Sequence, residues 1–596
     1  MNKASAEICF VVPAFDSLRH APLGVSTLIA SCRARGLQVG AVYASLLLGA
    51  RIGFDLYDRI SGMLPTKQPG EYVFKPFAYP PEVLATIPDG PPAKVRDIVA
   101  AAAPSIADHL EEIAAAVAAR NPRIVAITNT FQQNLPGFAI ARRLRAAVPE
   151  ALIVMGGANV AGVMAHGLAQ VFDCVDYFFD GEGDIVFPDF CEDYLRRGIR
   201  PQGRVVACPP IGDMAAVPAA DFSDFLAALR PLQAAGRLPP ELPHFATYES
   251  SRGCWWGAKH HCTFCGLNAR GMGFREKAPG RVVEEIRDLA AQWPDRVIRT
   301  ADNIMPTSFF EQVLPRLESF EHRPQLFYEV KANLKEAQIA AMRRAGIYSI
   351  QPGIESLSSP VLKLMRKGVS AHQNITLLRL CTAYNMRVGW NLIYGFPGET
   401  SENYRDMLAL LPALTHLVPP DGFSPIMIDR FSPYFDDPGS FGIASLRPFE
   451  AYLGLFPPQA PVDDIAYHFW GTYTTEFLDD TALREAFSAG VGHWRSLWSG
   501  NGPRPRLEAL RQGGKLIVID TRGFAQEPMT ILPATAEDAL GYFERPRRPD
   551  EVSPAAAAHV EEFLARRWVV AHEGLLLSLV ARRADMAGAA VPAKAA

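Results

Sequence analysis

The chain has 596 residues, of which 49% are hydrophobic and 20% charged, and its formal net charge is −4 at pH 7. That length exceeds what one hydrophobic core supports, so we expect two to four domains, and the composition is that of a soluble globular protein. The weakly negative balance argues against nucleic acid or an anionic membrane surface as the main partner, and no apolar run is long enough to span a bilayer.

Short apolar runs alternate with helical stretches over the first two hundred residues. The first run leads into charged residues and a proline, so it predicts a strand and not a signal peptide. The Ala-rich stretch 98–120 predicts a helix. Such an alternation is typical of a doubly wound parallel sheet, and we assign residues 1–210 to a Rossmann-like α/β domain. The strand candidates are ICFVVPAF (8–15), LQVGAVYA (37–44), RIVAITNT (123–130), ALIVMGGAN (151–159) and VDYFFDGEGD (175–184).

A second series of strands and helices follows a polar, proline-containing passage around 200–220. It predicts six parallel strands with helices between them, which is typical of a partial TIM-like (β/α)6 barrel over residues 211–440. Polar and charged residues stand at several strand ends, where barrels of this kind bind their ligands. The strand candidates are HFATYESS (244–251), RVIRTADN (296–303), QLFYEVKAN (325–333), YSIQPGIES (348–356), RVGWNLIYG (387–395) and GFSPIMIDR (422–430).

The pattern becomes irregular and rich in aromatic residues over 441–596, which we expect to form a C-terminal α+β domain. Near its end, ATAEDALGYFER and HVEEFLARRWVVAHEGLLLSLVARR predict a helix, a second helix and a terminal pair of strands. This order would suit a small winged-helix unit. The closing segment MAGAAVPAKAA is expected to lack ordered structure.

Three of the nine cysteines form one tight cluster. Cys254, Cys262 and Cys265 stand in RGCWWGAKHHCTFCG with the spacing C-x7-C-x2-C. An odd number of cysteines without a secretion signal indicates a reducing cytoplasm, and the cluster indicates a metal site. The other six are expected to be small buried hydrophobic residues: Cys9, Cys32, Cys174, Cys191, Cys208 and Cys381.

Three thiolates are one ligand short of a closed tetrahedral site. A zinc ion would need His260 or His261 as the fourth ligand, and bending either ring back onto the same ion would strain so short a loop. A cubane iron–sulfur cluster held by three cysteines instead leaves one iron open to a small molecule.

The stretch TYESSRGCWWGAKHHCTFCGLN resembles the cluster loop of the radical S-adenosylmethionine (SAM) superfamily, in its cobalamin-dependent branch. The commonest spacing there is C-x3-C-x2-C. The longer spacing found here is familiar from a subgroup described as radical SAM C-methyltransferases that mature ribosomally made peptides. FYEVKANL, QPGIESLSSPVLKLMRKG, NLIYGFPGET, TFQQN and MGGAN also resemble that subgroup, so the similarity spans residues 5–440. It implies a [4Fe-4S] cluster, SAM and cobalamin as cofactors.

The resemblance also implies which residues meet SAM. Cys254, Cys262 and Cys265 would hold the cluster, and Phe264 would pack against the adenine; an ordinary hydrophobic anchor is the alternative. Buried charges at strand ends are costly unless they are paired with each other or with a ligand, and both explanations stay open. The polar residues that would meet the ammonium, carboxylate or ribose of SAM are Glu329, Lys331, Glu355 and Asn391.

The segment YGFPGET, with Gly395, Pro397 and Gly398, would form a turn that lets the backbone approach the adenine. An ordinary turn between a strand and a helix is the alternative explanation of this segment. Asp302 stands at a strand end where it could hold substrate or SAM. Tyr394 and Tyr434 receive no role, and no catalytic residue is assigned.

A doubly wound domain ahead of such a barrel resembles a cobalamin-binding domain. Gly156 and Gly157 follow a strand and would let the nucleotide tail pass close to the backbone, and Thr130 could hydrogen-bond the tail. Gly181, Glu182 and Gly183 form a further turn at the same edge. The cobalt-ligating signature D-x-H-x-x-G is absent, because FDSLRHAPLG has its residues at other intervals. A bound cobalamin would therefore have no protein histidine below the cobalt, and loss of the cofactor is the open alternative.

Together these features favour a C-methyltransferase that moves a methyl group to an unactivated carbon of a ribosomally made peptide. A non-methylating radical rearrangement, cyclisation or epimerisation is the second hypothesis, and a non-catalytic iron–sulfur or zinc protein the third. The expected partners are a precursor peptide and a flavodoxin- or ferredoxin-type electron donor, with no nucleic acid and no membrane. The C-terminal unit would either grip the leader peptide or cover one end of the barrel.

Overall fold

The computed structural model describes residues 6–88, 90–269, 271–500 and 502–582. The closing segment that we expected to lack ordered structure lies outside the described residues. Within those ranges, no helix combines the length and the apolar character that crossing a membrane would require.

The N-terminal part is a six-stranded parallel sheet in the order β2-β1-β3-β4-β5-β6. Strand β1 is almost fully buried, because helices cover both faces of the sheet, and this explains its unbroken apolar run. The predicted doubly wound sheet is confirmed, and the strand order changes direction between β1 and β3, where such folds bind ligands. The strands are β1 Ile8–Val12, β2 Val39–Tyr43, β3 Ile124–Thr128, β4 Leu152–Gly156, β5 Tyr177–Gly181 and β6 Val205–Cys208.

Ten helices accompany this sheet among the described residues. Six of them lie between β2 and β3, a longer insertion than the alternation of runs indicated. The predicted helix over 98–120 is divided into α6 and α7 by a single turn around Pro104, which lacks the backbone N–H that a continuous helix needs. The helices are α1 Leu23–Ala34, α2 Ala44–Ile52, α3 Phe54–Ser61, α4 Pro69–Ala78, α5 Pro81–Leu84, α6 Arg96–Ala102, α7 Ile106–Ala118, α8 Asn134–Ala147, α9 Val163–Val171 and α10 Gly183–Arg197.

The second part is an open parallel barrel. Five strands pair in the order β13-β12-β11-β10-β7, and β14 continues the wall through a bridge between Glu355 and Leu392 and pairs with β15. The partial barrel is therefore confirmed. The barrel strands are β7 Phe245–Tyr248, β10 Val297–Thr300, β11 Gln325–Val330, β12 Ile347–Pro352, β13 Arg387–Val388, β14 Asn391–Tyr394 and β15 Gly422–Pro425. Two further strands, β8 Ser251–Arg252 and β9 Arg275–Glu276, form a separate antiparallel pair.

One predicted barrel strand, RVGWNLIYG, is divided into β13 and β14 at Trp390. Its indole turns away into the core, where it donates a hydrogen bond to the carbonyl of Val418 and packs on Trp494. The helices of this part are α11 Ser223–Ala234, α12 Gly257–His260, α13 Pro279–Gln292, α14 Phe309–Gln312, α15 Leu314–Glu318, α16 Glu336–Arg344, α17 Ser359–Leu364, α18 Ala371–Ala383 and α19 Ser401–Leu414.

A small antiparallel sheet in the order β16-β18-β17 and a long helix, α24, follow the barrel. Tyr434 and Trp494 are buried there, which accounts for the many aromatic residues of this region. The elements are β16 Ile428–Asp429, α20 Pro433–Asp436, β17 Leu446–Pro448, α21 Glu450–Leu453, α22 Val462–Ile465, β18 His468–Gly471, α23 Glu476–Asp479 and α24 Thr481–Ser499.

The last described segment contains the predicted order of helix, helix and strand pair, joined to a four-stranded sheet in the order β21-β20-β19-β24. It packs against the barrel helices: His372 hydrogen-bonds the carbonyl of His572, and His416 that of Leu579. The elements are β19 Leu507–Gln512, β20 Lys515–Asp520, β21 Met529–Pro533, α25 Thr535–Tyr542, α26 Pro554–Ala565, β22 Val569–His572, β23 Leu575–Ser578 and β24 Ala581–Arg582.

Candidate functional site

The three clustered cysteines lie on one loop between β8 and β9, at the mouth of the barrel. The loop is held by backbone hydrogen bonds: the N–H of Cys254 donates to the carbonyl of Met272 (3.2 Å), and that of Thr263 to Met365 (3.1 Å). The N–H of Gly257 donates to the sulfur of Cys254 (3.3 Å). The loop therefore has a defined shape that presents partly buried thiols.

Burial raises the pKa of the Cys265 thiol to about 12, and it raises that of Cys262 as well. Four neighbouring groups also influence the pKa of Cys262 electrostatically, so all of them belong to one site: Lys367, Cys254, Glu355 and Lys331. Thiols in this setting ionise when a cation or cluster compensates the charge, which fits a metal-cluster loop.

A single-ion site fits this loop less well. Within the ranges that the structure describes, no three His, Cys, Asp or Glu side chains converge as ligands of one metal ion. His261 hydrogen-bonds the carbonyl of Cys265 (2.8 Å), and exposed His260 lies against the ring of Trp256. In a cubane each thiolate binds a different iron, so the three sulfurs need not converge on one point.

The charged strand ends predicted to meet SAM are brought together around this loop. Burial raises the pKa of Glu329 to about 7, and Glu355 contributes to that rise. Burial lowers the pKa of Lys331 to about 8; its buried Nζ has no hydrogen-bond partner among the described residues and lies over the ring of Trp256. A buried cation without a hydrogen-bond acceptor fits a site for an anionic group such as a carboxylate.

Lys367 is a further cation here that sequence reasoning missed, although it stands in the quoted stretch LMRKG. Its side chain is 14% exposed, and its Nζ lies 3.5 Å from Oε1 of Glu355. Burial alone would lower the pKa of Lys367, but Glu355 and the thiols of Cys262 and Cys265 raise it above its ordinary value. Glu355 therefore has a partner within the protein. This agrees with the alternative explanation, in which a buried charge at a strand end is paired with another side chain and not with SAM.

Phe264 and the predicted adenine turn lie side by side. Phe264 packs edge-on against Phe396, whose ring centroid is 5.6 Å away. Glu399 was also missed: its buried carboxylate accepts hydrogen bonds from the N–H groups of Gly395 (2.9 Å) and Phe396 (3.0 Å) and from the hydroxyl of Tyr404 (2.6 Å). The Glu399 carboxylate therefore fixes the backbone of the turn at Gly395 and Phe396. Asn391 is exposed and begins β14, at the level of Glu355.

Asp302 faces inward and not toward a ligand. It is completely buried, and its carboxylate accepts hydrogen bonds from the N–H of Ser250 (2.8 Å) and the hydroxyl of Ser251 (2.8 Å). Our expectation of a ligand-holding carboxylate at this strand end was therefore wrong, because the serines that begin the cluster loop use both oxygens. Tyr394 and Tyr434 pack against Phe423 and Phe441, respectively.

All five residues predicted to meet cobalamin line one cavity of about 380 Å³ at the carboxyl edge of the N-terminal sheet. The cavity opens between the ends of β1, β3, β4 and β5, where doubly wound folds bind ligands. Its far wall belongs to the barrel, since Glu249 and Arg252 also line it. The residues are Thr130, Gly156, Gly157, Gly181 and Glu182.

The glycines at this edge are needed for two different reasons. Gly157 has φ +126°, and a Cβ there would lie 2.5 Å from the carbonyl oxygen of Asn129. Gly181 has φ +117°, and its Cβ would overlap the carbonyl of Cys208. These two are required by the protein's own backbone and not by a nucleotide tail. A Cβ at Gly156 would meet only Phe179, at 3.5 Å, so this glycine keeps the cavity open.

Two other cavity residues are used mainly within the protein. The carboxylate of Glu182 pairs with Arg275 (2.9 Å) and Arg252 (3.1 Å), and Thr130 donates to the side chain of Gln133 (3.1 Å). Glu182 therefore joins the sheet edge to the strands that flank the cluster loop, a role that its place in the sequence did not indicate.

No histidine is among the described residues that line the cavity. His20, from the stretch that lacks the cobalt-ligating signature, stacks on Phe245 (centroids 4.9 Å apart) and hydrogen-bonds Ser17. Burial, with Arg299 nearby, lowers the pKa of His20 to about 4. The described lining of the cavity therefore offers no imidazole to a bound ligand.

Comparisons with known proteins agree with this geometry. Residues 248–411 match the family model of the Radical SAM superfamily. The uncharacterized methyltransferase PH0819 of Pyrococcus horikoshii is 23% identical over 308 residues, which are 49% of this chain and 64% of that protein. A tRNA-2-methylthio-N(6)-dimethylallyladenosine synthase of Pelotomaculum thermopropionicum is 25% identical over 171 residues, 26% of this chain and 38% of that protein. The chain thus matches less than two thirds of either relative.

Two solved structures have a similar fold. The cobalamin-dependent S-adenosylmethionine radical enzyme OxsB, with aqua-cobalamin and S-adenosylmethionine bound, gives a TM-score of 0.54 at 13% identity, covering 83% of this chain and 66% of that chain. The radical S-adenosylmethionine methyltransferase TsrM from Kitasatospora setae, with cobalamin and a [4Fe-4S] cluster bound, gives 0.55 at 16% identity, covering 82% and 91%. The chain therefore contains a radical SAM domain over residues 248–411, within an α/β fold shared with cobalamin-dependent radical SAM enzymes.

Proposed function

We propose that this protein is a cobalamin-dependent radical SAM C-methyltransferase that acts on a ribosomally made peptide. One observation carries the proposal: the cavity lined by the predicted cobalamin residues shares a wall with the cluster loop, because Arg252 lines it and stands two residues before Cys254. Two cofactor sites that adjoin in this way can serve one substrate carbon.

The chain's own residues would bind and orient three cofactors. Cys254, Cys262 and Cys265 would hold a [4Fe-4S] cluster, and the adjoining cavity would hold cobalamin. Bound together with SAM, these cofactors supply a radical for hydrogen removal and a methyl group for transfer.

Five groups around the cluster loop would orient SAM. Glu329 offers a carboxylate to the ammonium, and Lys331 offers its unpaired Nζ to the carboxylate of SAM. Phe264 and the turn at Gly395 would flank the adenine. Asn391 would reach a ribose hydroxyl.

The peptide substrate is supported by an exposed sheet edge in the C-terminal unit. Strand β21 ends its sheet, and the side chains of Met529 and Ile531 are 55% and 53% exposed. An edge strand with exposed apolar side chains is suited to pair with an extended peptide segment. We therefore propose that β21 binds the leader of a precursor peptide. None of the nine cysteines, all of which lie within the described residues, forms a disulfide, which supports a reducing compartment such as the cytoplasm.

The test is to purify the protein anaerobically from cobalamin-fed cells and to measure its metals, then methyl transfer from deuterated SAM. We expect about four irons, as a cubane requires, and about one cobalt per chain, with a gain of one labelled methyl group on the peptide. Iron without cobalt, or an unchanged product mass with SAM consumed, would favour a non-methylating radical reaction. Zinc alone would exclude both.

A further inference from the structure

An open cavity of about 520 Å³ lies beside the cluster loop, and its lining includes none of the residues predicted to bind SAM or cobalamin. It is formed by the cluster loop together with the segment from α17 to the start of α18, and its lining includes Trp256, His260, Lys363 and Arg366. The mechanism proposed above gives this cavity no function.

The rim of this cavity is strongly basic. His260, Lys363 and Arg366 line the cavity, and Lys259 precedes His260 on the short helix α12. All four side chains are exposed, and we call these four residues the basic rim. Residues 250–275 and 356–398 contain no Asp or Glu, although the whole chain has a net charge of −4. Glu573 reaches one edge of the cavity, where its carboxylate accepts a hydrogen bond from the N–H of Ser359. The basic rim therefore offers a local positive field on a weakly negative protein.

Trp256 connects this surface with the cluster loop. Its indole N–H donates to the carbonyl of Arg366 (3.1 Å), and its ring lies 4.2 Å from that of His260, measured between centroids. The ammonium of Lys331, at the SAM site, lies over the same ring. Trp256 stands two residues after Cys254, so one aromatic side chain contacts both the surface and the cluster loop.

We propose that the basic rim is the docking surface of a small acidic one-electron carrier protein of the flavodoxin type. The inference rests on the proposed function, because the carrier would reduce the proposed cluster. In the step it serves, the reduced carrier loses one electron and the cluster gains it. Opposite charges speed the encounter of the two proteins, and Trp256 connects the basic rim with the cluster loop that would receive the electron.

The experiment compares two charge-reversal variants of the full-length holoenzyme. Lys259→Glu/Lys363→Glu changes the basic rim, and Lys94→Glu/Lys515→Glu makes the same charge change at exposed positions on other elements. Stopped-flow absorbance gives the bimolecular rate constant for cluster reduction by fully reduced flavodoxin. Deoxyadenosine formed with dithionite, a small reductant that needs no docking surface, is measured in parallel.

We expect the rim variant to accept electrons from flavodoxin about tenfold more slowly than wild type at low ionic strength, with the difference shrinking as salt is added. The control variant should match wild type, and all three should form equal deoxyadenosine with dithionite. Equal flavodoxin rates in all three proteins would overturn the inference, as would a deficit of the rim variant that persists with dithionite. A wild-type protein inactive even with dithionite would overturn the proposed function itself.

Discussion

Arg252 donates two parallel hydrogen bonds to the carboxylate of Asp184, at 2.9 and 3.0 Å. Arg252 belongs to the barrel, two residues before the first cluster cysteine, and Asp184 lies in the first turn of α10 in the N-terminal domain. The fork-like guanidinium matches a carboxylate in this geometry, so the pair fixes orientation as well as distance. It holds the wall that the cavity and the cluster loop share.

Replacing Arg252 by lysine should loosen this wall while keeping its charge, because an ammonium cannot reproduce the two-fold contact. We expect cobalt retained after anaerobic gel filtration to fall several-fold, with iron close to wild type. Arg196→Lys is the matched control, since Arg196 pairs with Glu192 on the exposed face of α10. Full cobalt retention in Arg252→Lys would contradict the role given to the pair.

The two glycines at the end of β4, Gly156 and the following Gly157, should respond differently to alanine. Gly157→Ala forces a Cβ against the carbonyl of Asn129 at a positive φ, so we expect it to lower the apparent Tm by about 4 °C or more. Gly156→Ala has room in the protein and should leave the Tm unchanged. If the ligand passes close to this backbone, cobalamin binding measured by titration should weaken at least tenfold in Gly156→Ala. Unchanged affinity there would place the ligand elsewhere.

Alanine at any of Cys254, Cys262 or Cys265 should abolish deoxyadenosine production and lower the iron content, because each thiolate would hold a different iron. The control is Cys174→Ala, which removes a half-buried thiol between α9 and β5 and should leave the iron content unchanged. Iron quantification and chromatography of SAM products check both. Activity that survives in a cluster variant would rule out the radical SAM assignment.

The raised pKa of Glu329 leads us to expect that SAM binding depends on pH. Its folded pKa is raised to about 7, so the carboxyl is neutral below that pH and offers no charge to an ammonium. Affinity for SAM, measured by calorimetry on the cluster-loaded protein, should fall as the pH drops from about 8 to 6. Glu329→Gln should bind SAM weakly throughout, with a flatter profile in that window. The same steep profile in Glu329→Gln would assign the titration to another group.

If the edge strand β21 binds the leader, a substitution in it should impair activity only on substrates that carry the leader. Ile531→Lys places a charge on the exposed edge, and such charges disfavour strand pairing. The KM for full-length precursor should rise about tenfold, whereas kcat/KM for a leaderless core peptide should not change. Leu453→Lys, at an equally exposed apolar position in α21, is the control. Equal effects on both peptides would argue for a structural role of the C-terminal unit.

The parallel strands could be predicted from sequence because burial on both faces produces unbroken apolar runs, and the cluster loop because its thiols are close along the chain. The partners of Glu182 could not be predicted, since Arg252 and Arg275 lie in another domain and only folding brings them near. The partners of Asp302 could not be predicted either, because the sequence does not show whether a carboxylate at a strand end points toward a ligand or toward a loop. In the structure the Asp302 side chain points toward the serines before the cluster loop.

The turn at Gly395 is not completed by the barrel alone. Its bracing carboxylate, Glu399, also accepts a hydrogen bond from the hydroxyl of Thr475 (3.1 Å), and Tyr473 donates to the carbonyl of Gly395. Both donors come from the region beyond the last barrel strand. A substitution in that region therefore acts directly on the turn that we propose to flank the adenine. If the same region also adapts to the substrate, specificity and cofactor binding are coupled at these two hydroxyls.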